Sequence, residues 1–169
     1  MHKAAMDFLE KTKMEHLELF EDVRVFEVGS LNINGQARGL FVAREYVGVD
    51  WRPGIGVDTV GLAHKYAEKP DGYFDVAIST ETFEHDAYWK LTLEKMVKLL
   101  RPGGSLILTM AAEGREPHAL ETGSVSDYYQ NLQTAQVLEA VSKCGKFKTS
   151  SVQENKESHD LYCLFLEKL

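Results

Sequence analysis

Apolar residues recur along the chain in strand-like clusters, separated by short polar turns and a few stretches of helical period. Val23, Val25, Phe26 and Val28 form a short buried strand that ends at Gly29, a residue free to take a sharp turn. Ser30 to Gly35 is a small polar loop, and Gln36 to Val42 reads as the helix after it. Ahead of this unit, Met6, Leu9, Leu17 and Phe20 share one face of a helix spanning Met1 to Phe20, interrupted by Lys13. That helix is expected to cover a sheet edge, with Glu10, Lys11, Glu15, Glu18, His2 and His16 on the surface. Glu45 to Asp50 is a second short strand. Arg52-Pro53-Gly54-Ile55-Gly56 cannot be helical, so the next strand, Val57 to Val60, follows an irregular corner. Leu62 to Glu68 holds a helical turn or two at most.

Tyr73 to Ser79 is apolar almost throughout, as in a central strand covered on both faces. It empties into Thr80-Glu81-Thr82-Phe83-Glu84-His85-Asp86. Asp86 is placed to cap a helix with Leu93, Met96, Val97 and Leu100 inward, stopped at Arg101-Pro102-Gly103-Gly104. Ser105 to Met110 is the following strand. From Ala111 to Asn131 the pattern turns polar and aperiodic, the mark of a functional loop and here of a lid over a pocket. Thr134 is expected to cap a last helix with Val137, Leu138 and Val141 inward and Gly145 past its end. Phe147 to Val152 and Asp160 to Leu166 form a closing antiparallel hairpin. No repeat, linker or second domain interrupts this order, so residues 1–169 read as one domain.

Composition narrows the partners. Acidic side chains outnumber basic ones by 26 to 19, a net charge of -7, whereas binding to a phosphate backbone needs a basic surface. No apolar run is long enough to span a bilayer. Lys3, Asp7, Glu10 and Lys11 break any leader-like pattern at the start. Cys144 and Cys163 lack metal or redox spacing; both are expected as reduced thiols in a cytoplasmic protein.

Candidate chemistry concentrates after the strands. A strand, a tight loop and a helix build the front edge of a nucleotide pocket in open α/β sheets. Glu27, two positions before Gly29, would repel a phosphate and favour a ligand with a cationic end. Asp50 stands about twenty residues past that glycine, where a carboxylate accepts hydrogen bonds from both ribose hydroxyls. Trp51 follows it, either as a wall for an adenine ring or as a packing residue. Glu84-His85 is either a polar turn or a reactive pair, and His118 either a base or a solvated loop residue. Tyr128 and Tyr129 either line an acceptor site or pin the loop. His159-Asp160 reads as surface. No His/Cys/Asp group has metal-ligand spacing.

Together, Val25-Phe26-Glu27-Val28-Gly29, Gly48-Val49-Asp50, Phe74 to His85 and Leu99-Leu100-Arg101-Pro102-Gly103-Gly104 resemble class I S-adenosylmethionine-dependent methyltransferases, in the family's order from about Val23 to Met110. The resemblance implies an α/β fold, doubly wound, with a mostly parallel seven-stranded sheet, helices on both faces and an antiparallel last strand. It implies S-adenosyl-L-methionine as cofactor. Glu27, Gly29, Ser30 and Asn34 would hold its methionine part, Asp50 the ribose, and Trp51 and Asp58 the adenine, with His64 as a possible neighbour. Thr80 and Glu81 would complete the cofactor contacts, and Glu84-His85 would stand beside the methyl group. His85 or His118 would serve as a base. The chain departs from the family in its loop, where Ser30-Leu31-Asn32-Ile33-Asn34-Gly35 lacks the middle glycine, and in an abbreviated third-strand region.

The implied activity is methyl transfer to a small-molecule acceptor. The loop after the fourth strand lacks the Asn/Asp-Pro-Pro-aromatic motif of base-amino methyltransferases, and a protein substrate stays open. The alternative is a non-catalytic cofactor-binding or partner-binding module. A nicotinamide oxidoreductase is disfavoured because Gly-x-Gly-x-x-Gly is absent.

Overall fold

The computed structural model describes residues 2–117 and 128–169. Among them the strands are β1 (Glu21–Val28), β2 (Val42–Asp50), β3 (Thr59–Val60), β4 (Phe74–Thr80), β5 (Leu100–Ala111), β6 (Phe147–Asn155) and β7 (Asp160–Lys168). They form one seven-stranded sheet in the order β3-β2-β1-β4-β5-β7-β6. β1 to β5 run parallel, and β7 lies antiparallel to both β5 and β6. This is the expected doubly wound architecture, and β3 is indeed only two residues long.

Strand alternation divides the core between the two faces. Val23 and Val25 of β1, Val76 and Ile78 of β4 and Ile107 of β5 point to one face, where they meet Leu9 of α1 (Lys3–Glu15). Phe26, Val28, Ala77, Leu106 and Leu108 point to the other, under Leu93, Met96 and Val97 of α2 (Trp89–Leu99) and Val137 and Val141 of α3 (Thr134–Cys144). Cys163 is buried, Cys144 half-buried, and both are free thiols.

Several local expectations are corrected. The N-terminal helix stops at Glu15, because His16 leaves helical dihedrals, and Leu17–Leu19 follows as one 3-10 turn. The helix expected after β1 shrinks to the 3-10 turn Arg38–Leu40. Phe41 is already extended, and Val42 N–H donates to Phe20 O at 2.8 Å, so the end of the expected helix is taken by the start of β2. Asp86 accepts the Tyr88 N–H at 2.7 Å, so Tyr88 rather than Asp86 is the residue that precedes α2. Gln133, in a reciprocal capping box with Gln136, caps α3 in place of Thr134, which is the helix's first residue. Leu138 faces solvent, and Ala140 takes the inward position. Leu100 opens β5 instead of closing α2.

At the amino ends of the strands, Asp75 ties three strands together. Its carboxylate accepts the Arg24 N–H at 2.7 Å, Arg24 Nε at 3.0 Å and Arg101 Nε at 2.5 Å. The opposite, carboxyl edge is thereby left to a site.

Candidate functional site

A cavity of about 670 Å³ opens over the carboxyl ends of β1, β2 and β4, a size within the usual range for small-molecule sites. Its floor is the β1 turn. Gly29 takes φ +75°, and a Cβ there would stand 1.9 Å from Thr82 Oγ1, so the turn after β1 presses directly on the turn after β4. Its N–H donates to Val49 O at 2.9 Å. Gly29→Ala therefore meets both an unfavourable dihedral and a clash; an unfolding-free-energy loss of roughly 2 kcal/mol is expected, measurable by urea titration. Ser30 beside it is buried, and its Oγ has no hydrogen-bond partner among the described residues. Asn34 is exposed on the cavity rim.

Glu27 is 2% exposed yet contributes to the cavity wall. Burial pushes its carboxyl up to about 7, only partly opposed by the Tyr46 hydroxyl and the field of Arg38. The Tyr46 hydroxyl donates to Glu27 Oε2 at 3.0 Å. Burial and this carboxylate push the Tyr46 hydroxyl well above its ordinary value in turn. Arg38 stacks over the Tyr46 ring, 4.5 Å from its centroid. A single cationic ligand group arriving here would find a carboxyl ready to ionise.

Asp50 is fixed at the tip of β2 by two backbone amides, Arg52 N–H to Oδ1 at 3.0 Å and Leu31 N–H to Oδ2 at 3.3 Å. Remaining lone pairs are free to accept from a ligand. Trp51, 60% exposed, lies on the rim with the Arg52 guanidinium over its ring. Asp58 is placed differently from the other expected cofactor residues. It is absent from the cavity wall, accepts the Gly48 N–H at 2.7 Å and pairs with Arg38. Gly61 to His64 supply that side of the cavity instead.

The opposite wall comes from the β4 turn. Thr80, Glu81, Thr82 and His85 line it, with Asp86 and Tyr88 beyond. Glu84 turns away and is fully buried. The Tyr129 ring packs edge-on against His85 with centroids 5.3 Å apart, so it backs His85 rather than lining the cavity. Tyr128 lines the cavity, its hydroxyl donating to Gln130 Oε1 at 2.6 Å. His118 and the greater part of the expected lid, residues 118–127, lie outside the described residues. Arg115 and Tyr128, on either side of that stretch, both reach the cavity.

Two residues read as surface are not. His2 lines the cavity and contacts Glu81, while Asp160 is completely buried beside it. The register explains Asp160: it opens β7 directly opposite Ala111, at the carboxyl end of β5. Nothing in the spacing along the chain signals either one, or Arg115.

A sheet of this order with its last strand reversed, carrying its cavity over the carboxyl ends, defines the fold of class I S-adenosylmethionine-dependent methyltransferases. The chain belongs to the methyltransferase-domain family, whose match covers residues 28–142. Solved structures share the fold at low identity. The 1,6-didemethyltoxoflavin-N1-methyltransferase of Burkholderia thailandensis, solved with 1,6-didemethyltoxoflavin and S-adenosylhomocysteine, superposes with TM-score 0.69 at 15% identity, over 98% of this chain and 78% of that one. Phosphoethanolamine N-methyltransferase 2 of Haemonchus contortus, solved with S-adenosyl-L-methionine, gives 0.64 at 20% identity, over 87% of this chain and 39% of that one. A Haloferax volcanii structure, a complex between the Trm112 methyltransferase activator and a methyltransferase, gives 0.63 at 16% identity, over 96% and 95%. No curated protein matches the sequence. No helix among the described residues is long and apolar enough to cross a membrane.

Proposed function

We propose that the chain binds S-adenosyl-L-methionine in this cavity and directs its methyl group to a small-molecule acceptor held on the Glu81–His85 side. The observation that carries the reading is the convergence of Glu27 and Asp50, at the tips of adjacent parallel strands, on one cavity whose floor is Gly29. The residues present fit such a cofactor. A cationic end suits Glu27, a diol suits Asp50, and a buried, unpartnered Ser30 hydroxyl offers a further polar contact. The cofactor supplies a methyl group already activated on a sulfonium, so the protein has mainly to position the acceptor and exclude water.

Each residue then has a role. Glu27 balances the ligand's ammonium, with Gly29, Ser30 and Asn34 alongside. Asp50 accepts from the ribose hydroxyls, and Trp51 covers the adenine. Asp58 holds Arg38 and the Gly48 amide instead of touching the ligand. Thr80 and Glu81 close the methyl end. His85 takes the proton from a hydroxyl acceptor, an imidazole being able to titrate near neutrality; an amine that binds already deprotonated needs no such base. Two neighbours of the same fold are methyltransferases of small molecules by name, which supports that acceptor class over a macromolecule. The acidic balance of the chain agrees.

Calorimetry with S-adenosyl-L-methionine and S-adenosylhomocysteine, followed by a methyl-donor assay over amine, hydroxyl and carboxylate acceptors, tests the reading. Asp50→Ala should weaken cofactor binding by about 1–3 kcal/mol. An unchanged affinity removes Asp50 from the ribose role. One observation favours the second reading, a binding module without turnover: the amides of Leu31 and Asn32 are already used within the protein, leaving fewer donors for a ligand. Binding without turnover on any acceptor selects that reading.

A further inference from the structure

His2, Glu81 and Asp160 come from α1's leading end, the β4 turn and the start of β7, and they meet beside the cavity wall built by the β4 turn. His2 Nε2 lies 3.1 Å from Glu81 Oε2 and 2.9 Å from Asp160 Oδ2. One ligand atom from each residue falls within 4.8 Å of the others. We propose that this trio binds a divalent first-row transition-metal ion, of the Mn, Fe, Co or Zn type. The proposal stands apart from the cofactor reading and needs no ligand in the main cavity.

The donor set suits such an ion, since one imidazole with two carboxylates is neither the all-oxygen shell of magnesium nor the thiolate shell of a structural zinc. Both carboxylates are held from behind, as metal ligands usually are. Thr109 Oγ1 donates to Glu81 Oε1 at 2.9 Å, and Arg115 Nη1 donates to Asp160 Oδ1 at 2.9 Å. Each acid presents its other oxygen to His2, Asp160 Oδ2 also accepting from the Tyr162 hydroxyl at 3.3 Å. Glu81 sits at φ +50°, a left-handed conformation costly for a side-chain-bearing residue, which is tolerated where surrounding contacts fix the carboxylate in place.

A second, independent feature lies in the Glu84 carboxyl. It is 0% exposed, and neither oxygen completes a hydrogen bond among the described residues. Burial pushes its carboxyl well above the ordinary glutamate value, and the carboxylates of Glu81 and Asp160 push the same way. Three acids thus share one buried corner, with Arg115 as the guanidinium bonded there. A buried carboxyl without a completed hydrogen bond needs an explanation, and a dication between Glu81 and Asp160 would favour its ionised form. Arg115 does not block it. Its Nη1 is engaged by Ser158 O at 2.7 Å and by the rear oxygen of Asp160, although it stands 3.5 Å from His2 Nε2. His2 and Glu81 also line the cavity, so the ion would be within reach of an oxygen or nitrogen of the acceptor.

The opposing reading is that His2 is an imidazolium clamped between two carboxylates, which raise its pKa against the effect of burial. Titrating untagged, metal-stripped full-length protein with Co²⁺ separates the two. Calorimetry and the visible d–d bands should report one equivalent bound. His2→Ala and Glu81→Gln should each weaken that binding by tenfold or more, and Thr109→Val by roughly 10-fold, as loss of an outer-shell partner does. His16→Ala, at an equally half-buried histidine that pairs with Glu18, should leave it unchanged. Circular dichroism melts confirm that each variant is folded, and His2, at the chain's start and only half-buried, is the variant least able to disturb the core. No heat and no d–d bands with the unaltered protein overturn the proposal. So does Co²⁺ binding that survives both His2→Ala and Glu81→Gln. S-adenosylhomocysteine titrations of the unaltered, metal-stripped protein report on the cofactor reading alone.

Discussion

Asp75→Ala is expected to lower the unfolding free energy by about 3 kcal/mol, at the lower end of what breaking a buried ion pair costs. For a chain of this length that is a fall in Tm of roughly 6–12 °C. Asp75 is 6% exposed and accepts from the Arg24 amide and guanidinium and from Arg101, with Arg44 Nη2 a further 3.4 Å away. Removing it orphans a backbone N–H and the guanidinium groups of Arg24 and Arg101 where β1, β4 and β5 start, while Arg44 keeps its pairing with Asp22. The arginine side chains are partly exposed, which keeps the cost from rising further. The arginines hold the Asp75 carboxyl well below the ordinary carboxylate range despite burial. A depressed folded-state pKa gives stability that is present above the unfolded value and lost as pH falls through the acid range. The wild type should therefore lose stability below about pH 4 more steeply than the variant. Cofactor affinity should stay unchanged in a folded Asp75→Ala sample, because the cluster lies at the amino ends of the strands. A Tm within 2 °C of wild type would show that the arginines re-pair without Asp75 at little cost.

Much of this arrangement was legible in the order of residues. Phe74 to Ser79 reads as a buried parallel strand from composition alone, and Gly29 as a turn from its place after Val28. Glu27, Gly29, Asp50, Trp51, Thr80, Glu81 and His85 all fall on one cavity, since each directly follows or closes a strand and the topology gathers those ends at one edge. What stayed hidden depends on contacts between distant segments. The missing helix after β1 follows from Val42 bonding to Phe20 and opening β2, which periodicity does not register. Asp58 has the spacing of a ligand residue, but Arg38 and the Gly48 amide claim its carboxylate. Asp160 looks like a turn residue beside His159 until the β5–β7 register sets it opposite Ala111. His2, Glu81 and Asp160 show no metal-ligand spacing in sequence, because an α-helix start, a strand end and a hairpin strand meet only through the fold.

The second large effect is expected from pH acting through Glu27. Its folded-state carboxyl, at about 7, lies above an ordinary glutamate near 4.3. For an acid raised on folding, the folded chain binds the extra proton, so the contribution is fully present below the unfolded pKa and is lost as pH rises through the folded one. Between about pH 4.5 and 7 the ligand-free protein should lose about 3 kcal/mol from this group. Glu27→Gln, which can still accept from Tyr46, should remove that slope. Binding should run the other way. If Glu27 must be ionised to meet a cationic ligand, S-adenosyl-L-methionine affinity should rise roughly tenfold from pH 6 to pH 8, with protons released to buffer on binding below pH 7. The ligand's own amino group titrates in both proteins, so the difference between wild type and Glu27→Gln isolates the carboxyl. Calorimetry in two buffers of different ionisation enthalpy measures the proton release directly. Parallel pH profiles for the two proteins would mean that Glu27 stays neutral beside the ligand, and the cationic end of the cofactor would then have to be held elsewhere in the cavity.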